Sequence, residues 1–196
     1  MKSNKYLNHF FSMKCAHDLI PYFVGRQRAA AKEVTESFAM FYAAKQLLGE
    51  KVTEKGELDD CHVVVVGDGG MPRTGATFSY LTKATVDSID PMLNMKKITD
   101  VAKMLGFETE RLNCHKNKIE NIKINCENKK TFLILPHSHA PFYSCINSLK
   151  SYTTLNIITM PCCVKLPEKF KKQCTRFVDD EVWSPKNEIF TKKNYE

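Results

Sequence analysis

His62-Val63-Val64-Val65-Val66 runs directly into Gly67-Asp68-Gly69-Gly70, and these nine residues decide the fold. The valines do not alternate with polar residues. They predict a strand buried on both faces, the pattern of a parallel sheet covered by helices. The glycines that follow permit a tight turn and let a ligand approach the backbone without a Cβ in the way. Pro72 suits the first turn of a helix, where its missing N–H leaves nothing unpaired.

Working outward, the alternation continues. Thr85-Val86-Asp87-Ser88-Ile89 reads as a second strand ending at Asp90-Pro91, with Asp87 inside it. A helix near Ile98–Leu105 and a strand near Glu108–Leu112 follow, and the polar stretch His115–Lys130 favours neither type. Thr131–Leu135 is a further buried strand, closing on Pro136-His137-Ser138-His139-Ala140-Pro141-Phe142. A short helix around Tyr143–Lys150 precedes a strand at Leu155–Thr159, which ends on Met160-Pro161-Cys162-Cys163. Two strand-like runs flank Ser184-Pro185-Lys186-Asn187, a segment with hairpin-turn chemistry. Upstream, Ala30, Val34, Phe38, Phe41, Tyr42 and Leu48 recur at helical spacing, predicting a helix from about Arg26 to Leu48 that Gly49 stops. A polar turn, Glu54–Asp60, separates it from the valine strand. Strands alternating with helices predict an α/β fold: a doubly wound, mostly parallel Rossmann-like sheet with helices on both faces and a C-terminal antiparallel hairpin. With 196 residues and no repeat or linker, one domain is expected, residues 1–55 forming a helical extension and 60–196 the core.

Composition narrows the classes. Hydrophobic residues at 43% and charged residues at 26% exclude a largely disordered chain. No stretch approaches the roughly 20 apolar residues that span a bilayer, and the first residues lack the apolar run of a signal peptide. The eight cysteines show neither a CxxC pair nor finger spacing, so reduced thiols in a cytoplasmic or nuclear, non-secreted protein are expected. The net charge of +7 favours a polyanionic partner such as RNA. Sequence-specific readers lean on arginine forks, however, and this chain is poor in arginine. Oligomeric state is left open.

In open α/β sheets, ligands bind outside the carboxyl ends of the strands. Gly67, Asp68, Gly69 and Gly70 follow the first strand, and the helix after them opens with N–H groups that suit an anion. Asp90 ends the next strand, 23 residues beyond Gly67, where an acid accepts hydrogen bonds from ribose hydroxyls. Arg73 suits a carboxylate or phosphate. A dinucleotide fingerprint would need glycine where this chain has Pro72.

With VVVVGDGG, Asp90 and the terminal hairpin in place, the chain resembles the class I S-adenosylmethionine-dependent methyltransferases from about His62 to Ile189. The resemblance implies S-adenosylmethionine as cofactor, the glycine loop lining its methionine part and Asp90 holding its ribose. Many members carry an Asn/Asp-Pro-Pro-aromatic motif where this chain reads Pro136–Phe142, so no base-methylating amide or acid is present. Pro161-Cys162-Cys163 is similar to a motif of some tRNA ribose methyltransferases. The implied function is methyl transfer to an open acceptor, with RNA as candidate. The alternatives are a non-catalytic Rossmann-like module acting through protein contacts, and a nucleotide-binding hydrolase using the His/Cys edge.

That edge holds His137, His139, Cys162 and Cys163. Either histidine suits a general base, and the cysteines suit nucleophiles or buried fillers. No metal is assigned, although two imidazoles and two thiolates are zinc-ligand types; adjacent cysteines count against a full four-ligand site. Lys165, Lys169, Lys171 and Lys172 lie close by, either tracking a phosphate backbone or solvating a loop.

Overall fold

The computed structural model describes residues 3–24, 30–50, 56–105 and 110–195. Seven strands form one sheet: β1 (His62–Val66), β2 (Thr85–Ile89), β3 (Leu112–His115), β4 (Ile124–Pro136), β5 (Leu149–Met160), β6 (Thr175–Val178) and β7 (Glu188–Lys192). Their spatial order is β3-β2-β1-β4-β5-β7-β6, parallel except for β7, which runs antiparallel to both of its neighbours. The chain reverses its direction of travel through the sheet between β1 and β4, which opens a crevice at the carboxyl ends of these strands.

The unbroken valine run is explained by two cores. Val63 and Val65 pack into one, and Val64 and Val66 into the other. The first core is covered by α1 (Lys5–Ser12), α2 (Ala16–Phe23), α3 (Ala30–Leu48), α4 (Arg73–Leu81) and α5 (Met95–Leu105). The second is covered by α6 (Phe142–Asn147) and α7 (Glu168–Lys171) together with a 3-10 turn at Ile119–Asn121. No helix among the described residues is long and apolar enough to cross a membrane.

Several boundaries differ from the sequence expectations. The predicted helix starts at Arg26 and the polar turn at Glu54, both outside the described residues; the described helix begins at Ala30. The third strand lies at Leu112–His115 rather than Glu108–Leu112, because its pairing with β2 runs from Val86↔Leu112 to Ile89↔His115; residues 106–109 are outside the described set. β4 begins within the polar stretch, where Ile124 and Cys126 face inward on alternate positions. Glu127 and Asn128 adopt positive φ at a register shift against β5, and this irregularity hides the strand from a period-two reading. β5 starts at Leu149, so the short helix ends at Asn147 and not Lys150. Pro72 caps α4 instead of entering its first turn. The N-terminal extension contains α1, capped by the Asn4 side chain, which accepts from the Tyr6 and Leu7 amides.

Asp87 is more than a strand-interior residue. Its carboxylate is bridged by His62 Nε2 from β1 and His115 Nε2 from β3, each at 2.5 Å. Burial pushes the Asp87 carboxyl up, but the hydrogen bonds from the two imidazoles outweigh it and hold it below the usual carboxylate range.

Candidate functional site

The glycine turn after β1 is shaped by backbone contacts. Gly67 has φ +91° and donates its N–H to the Ile89 carbonyl at 2.9 Å. A Cβ on Gly67 would lie 2.7 Å from Ser138 Cα, so only glycine lets β1 and the β4 loop approach this closely. Gly69 has φ +77° and donates to one Asp90 carboxylate oxygen at 2.9 Å. The Met92 amide donates to the other oxygen at 2.7 Å. A Cβ on Gly70 would make only ordinary contact with the Met92 carbonyl, at 3.7 Å.

Asp68 is turned inward. It accepts from the Thr74 and Gly75 amides at 2.8 Å each and from Ser88 Oγ at 2.9 Å. Its carboxylate therefore satisfies the opening N–H groups of α4, for which Pro72 has no capping side chain. Burial pushes the Asp68 carboxyl up, against the pull of these hydrogen bonds. The side chain holds the turn and also contributes to the wall of the cleft beside it.

Two cavities flank the turn. One, of about 440 Å³, is lined by Gly67, Asp90, Asn117, Ser138 and His139. The other, of about 530 Å³, is lined by Gly69, Gly70, Arg73, Glu33, Glu36 and His137. Gly67, Met92 and His137 belong to the walls of both, so the cavities are two lobes of one cleft at the carboxyl ends of β1, β2 and β4.

Helix α3 contributes acids that periodicity in the sequence does not single out. Glu36 is 5% exposed and accepts from Lys32 Nζ at 2.8 Å; its carboxylate lies 2.7 Å from His137 Nε2. Burial raises the Glu36 carboxyl, but the hydrogen bonds to His137 and Lys32 win and hold it below its ordinary range. An ionised Glu36 takes a proton-bearing Nε2, which leaves Nδ1 of a neutral His137 as the lone-pair nitrogen. Glu33 faces Arg73, whose Nη1 lies 3.6 Å from Glu33 Oε2. Among the described residues, His137 Nδ1 and Arg73 Nε are buried without a hydrogen-bond partner. The signal available in the sequence was two acids three residues apart in a helix rich in apolar residues, but periodicity alone reads such residues as its solvated face.

The loop after β4 splits the two histidines. His137 has φ +52°, an uncommon conformation for a residue with a Cβ. His137 turns to α3, whereas His139 Nε2 lies 3.1 Å from Cys162 Sγ in the loop after β5. The sequence-predicted quartet thus resolves into His139, Cys162 and Cys163, whose ligand atoms lie within 4.8 Å of one another, with His137 engaged elsewhere. Cys162 and Cys163 are not core fillers: Cys162 is half-buried and Cys163 is exposed. Burial of Cys162 nevertheless pushes its thiol up. Beyond them Lys165, Lys169 and Lys172 are exposed, and Lys171 pairs with Glu168 at 2.8 Å.

No family model and no curated protein matches the chain. Among solved structures, a mutant of MtNAS in complex with S-adenosylmethionine aligns over 95% of this chain and 69% of its own, at 12% identity and a TM-score of 0.56. MtNAS in complex with MTA and tNA aligns over 98% and 69%, at 11% identity and a TM-score of 0.54. Magnesium protoporphyrin IX methyltransferase (ChlM) from Synechocystis PCC 6803 with bound SAM aligns over 96% of this chain and 95% of its own, at 9% identity and a TM-score of 0.55. The chain has the Rossmann-like class I methyltransferase fold.

Proposed function

We propose that the two-lobed cleft binds S-adenosylmethionine and that the protein transfers its methyl group to an acceptor, with RNA as the acceptor class. The observation that carries this reading is the pairing of the Gly67–Gly70 turn with Asp90 on a cleft at the switch point of the sheet. The neighbours with bound S-adenosylmethionine share that fold and support the choice of cofactor. The site also fits it chemically. Asp90 retains a further lone pair on each oxygen for ribose hydroxyls, and Arg73 offers a buried, unpartnered Nε for a carboxylate.

When bound, the cofactor supplies a methyl group already activated on a sulfonium, so the protein's share is mostly positioning. His137, oriented by Glu36, is the proposed base for an acceptor that must lose a proton. His139 is the second candidate, on the wall of the 440 Å³ lobe. RNA is supported by the net charge of +7 and by Lys165, Lys169 and Lys172 beyond the carboxyl end of β5.

Calorimetric titration with S-adenosylmethionine, NAD and ATP tests the reading. S-adenosylmethionine is expected to bind best. Asp90→Ala is expected to weaken it about tenfold to a few hundredfold, since a hydrogen bond to a charged group is worth about 1.5–3 kcal/mol. Wild-type protein that does not bind it, or Asp90→Ala protein that binds it equally well, overturns the proposal in favour of a non-catalytic module.

A further inference from the structure

We propose that His139, Cys162 and Cys163 form a binding site for a thiophilic divalent cation, zinc in the first instance, with one coordination position left open beside the cleft. The fold brings the three donors together. β4 and β5 are adjacent and parallel, with Leu135↔Thr159 and Pro136↔Met160 in register, so both chains leave the sheet at the same edge. The positive φ at His137 then sends the next imidazole towards the β5 loop. Cys162 is placed by its own contact, Sγ to the His137 carbonyl at 3.5 Å.

The distances suit the metal. Tetrahedral zinc with Zn–S of about 2.3 Å and Zn–N of about 2.0–2.1 Å holds its ligand atoms about 3.5–3.8 Å apart. His139 Nε2 and Cys162 Sγ stand at 3.1 Å, and no pair in the trio exceeds 4.8 Å. Closure therefore asks for shifts of about 1 Å at most, in a trio whose His139 and Cys163 are exposed and whose Cys162 is only partly buried. Two thiolates and an imidazole form a soft donor set that selects zinc over magnesium or calcium. Binding releases two thiol protons and transfers no electrons.

Three protein ligands and an open fourth position are the arrangement of catalytic zinc sites, whereas structural sites are closed by four. Because His139 also lines the 440 Å³ lobe, the fourth ligand would be water or an acceptor thiol or hydroxyl entering that lobe. Zinc lowers the pKa of such a ligand towards neutrality. The site rests on its own donors and stands whether or not the cleft takes S-adenosylmethionine.

The test is cobalt(II) titration of the full-length, chelator-treated, fully reduced protein. A thiolate-to-cobalt charge-transfer band saturating at one equivalent, with the visible bands of a tetrahedral site, is expected, and zinc should abolish it. Cys162→Ser and Cys163→Ser should each remove about half of the band, one thiolate of two, and the double variant all of it. His139→Ala should keep the band but require more cobalt to reach it. Circular dichroism checks that each variant is folded. A wild-type protein without the band overturns the site, and so does a band that survives in the folded double variant, which would place the metal on other thiols.

Discussion

The two ends of the cleft are built differently. At the β1–β2 end the geometry is made by the main chain: Gly67 and Gly69 at positive φ, amides donating to Asp90, and an inward Asp68 that completes the start of α4. At the β4–β5 end it is made by side chains reaching between distant segments, Glu36 to His137 and His139 to Cys162. A turn held at positive φ is sensitive to an added Cβ, above all at Gly67, whereas the imidazole–carboxylate pair at the other end tolerates local change and contributes a pH dependence of its own. The contrast says where each kind of perturbation should act.

The largest effect is expected at the main-chain end. Gly67→Ala combines the cost of a Cβ at left-handed φ, about 1–2 kcal/mol, with overpacking against Ser138, about 1–3 kcal/mol. Gly69→Ala pays the first cost only, because its Cβ would meet nothing closer than Arg73 at 3.5 Å. Urea unfolding should therefore rank Gly67→Ala below Gly69→Ala, and equal midpoints would break the comparison.

At the side-chain end the expected signature is pH dependence. The Glu36 carboxyl is held low by His137 and Lys32, so it contributes stability that is present above the unfolded carboxyl value, about pH 4.3, and lost as pH falls through the folded one. His137→Ala removes one of those hydrogen bonds while burial continues to oppose the charge. The Glu36 carboxyl should rise, which a carboxyl carbon NMR titration would show. The variant should be less stable by about 1.5–3 kcal/mol at neutral pH, the difference shrinking in acid. A deficit that persists unchanged at acidic pH would mean that His137 acts through packing rather than charge.

The smallest effect concerns the lysines beyond β5. If Lys165 and Lys172 bind phosphates, changing both to glutamate should reduce the slope of log affinity for RNA against log salt by about 1 for each phosphate no longer neutralised. An unchanged slope would return them to the solvated surface. Lys171 is the poorer choice for this test because Glu168 already neutralises it.

What the sequence determined by itself is the part that rests on neighbouring residues. Four valines in a row announced a strand buried twice over, and the sheet honours this by sending Val63 and Val65 to one core and Val64 and Val66 to the other. Asp90 could be placed at a strand end because β2 follows its own local pattern, and the glycine turn could be read because positive φ is a property of single residues. The remainder required the fold. The bonds of Asp68 to the α4 amides exist only once α4 has folded back, and Asp87 looked like an ordinary strand residue until His62 and His115 arrived from flanking strands. Glu36 and His137, 101 residues apart, meet only because α3 packs over the carboxyl edge of the sheet. The division of His137 from His139 was set by a single left-handed backbone turn. Local patterns encode burial and backbone conformation. Which side chains meet across the cleft is a matter of strand order and helix packing, and no short stretch of sequence carries that information.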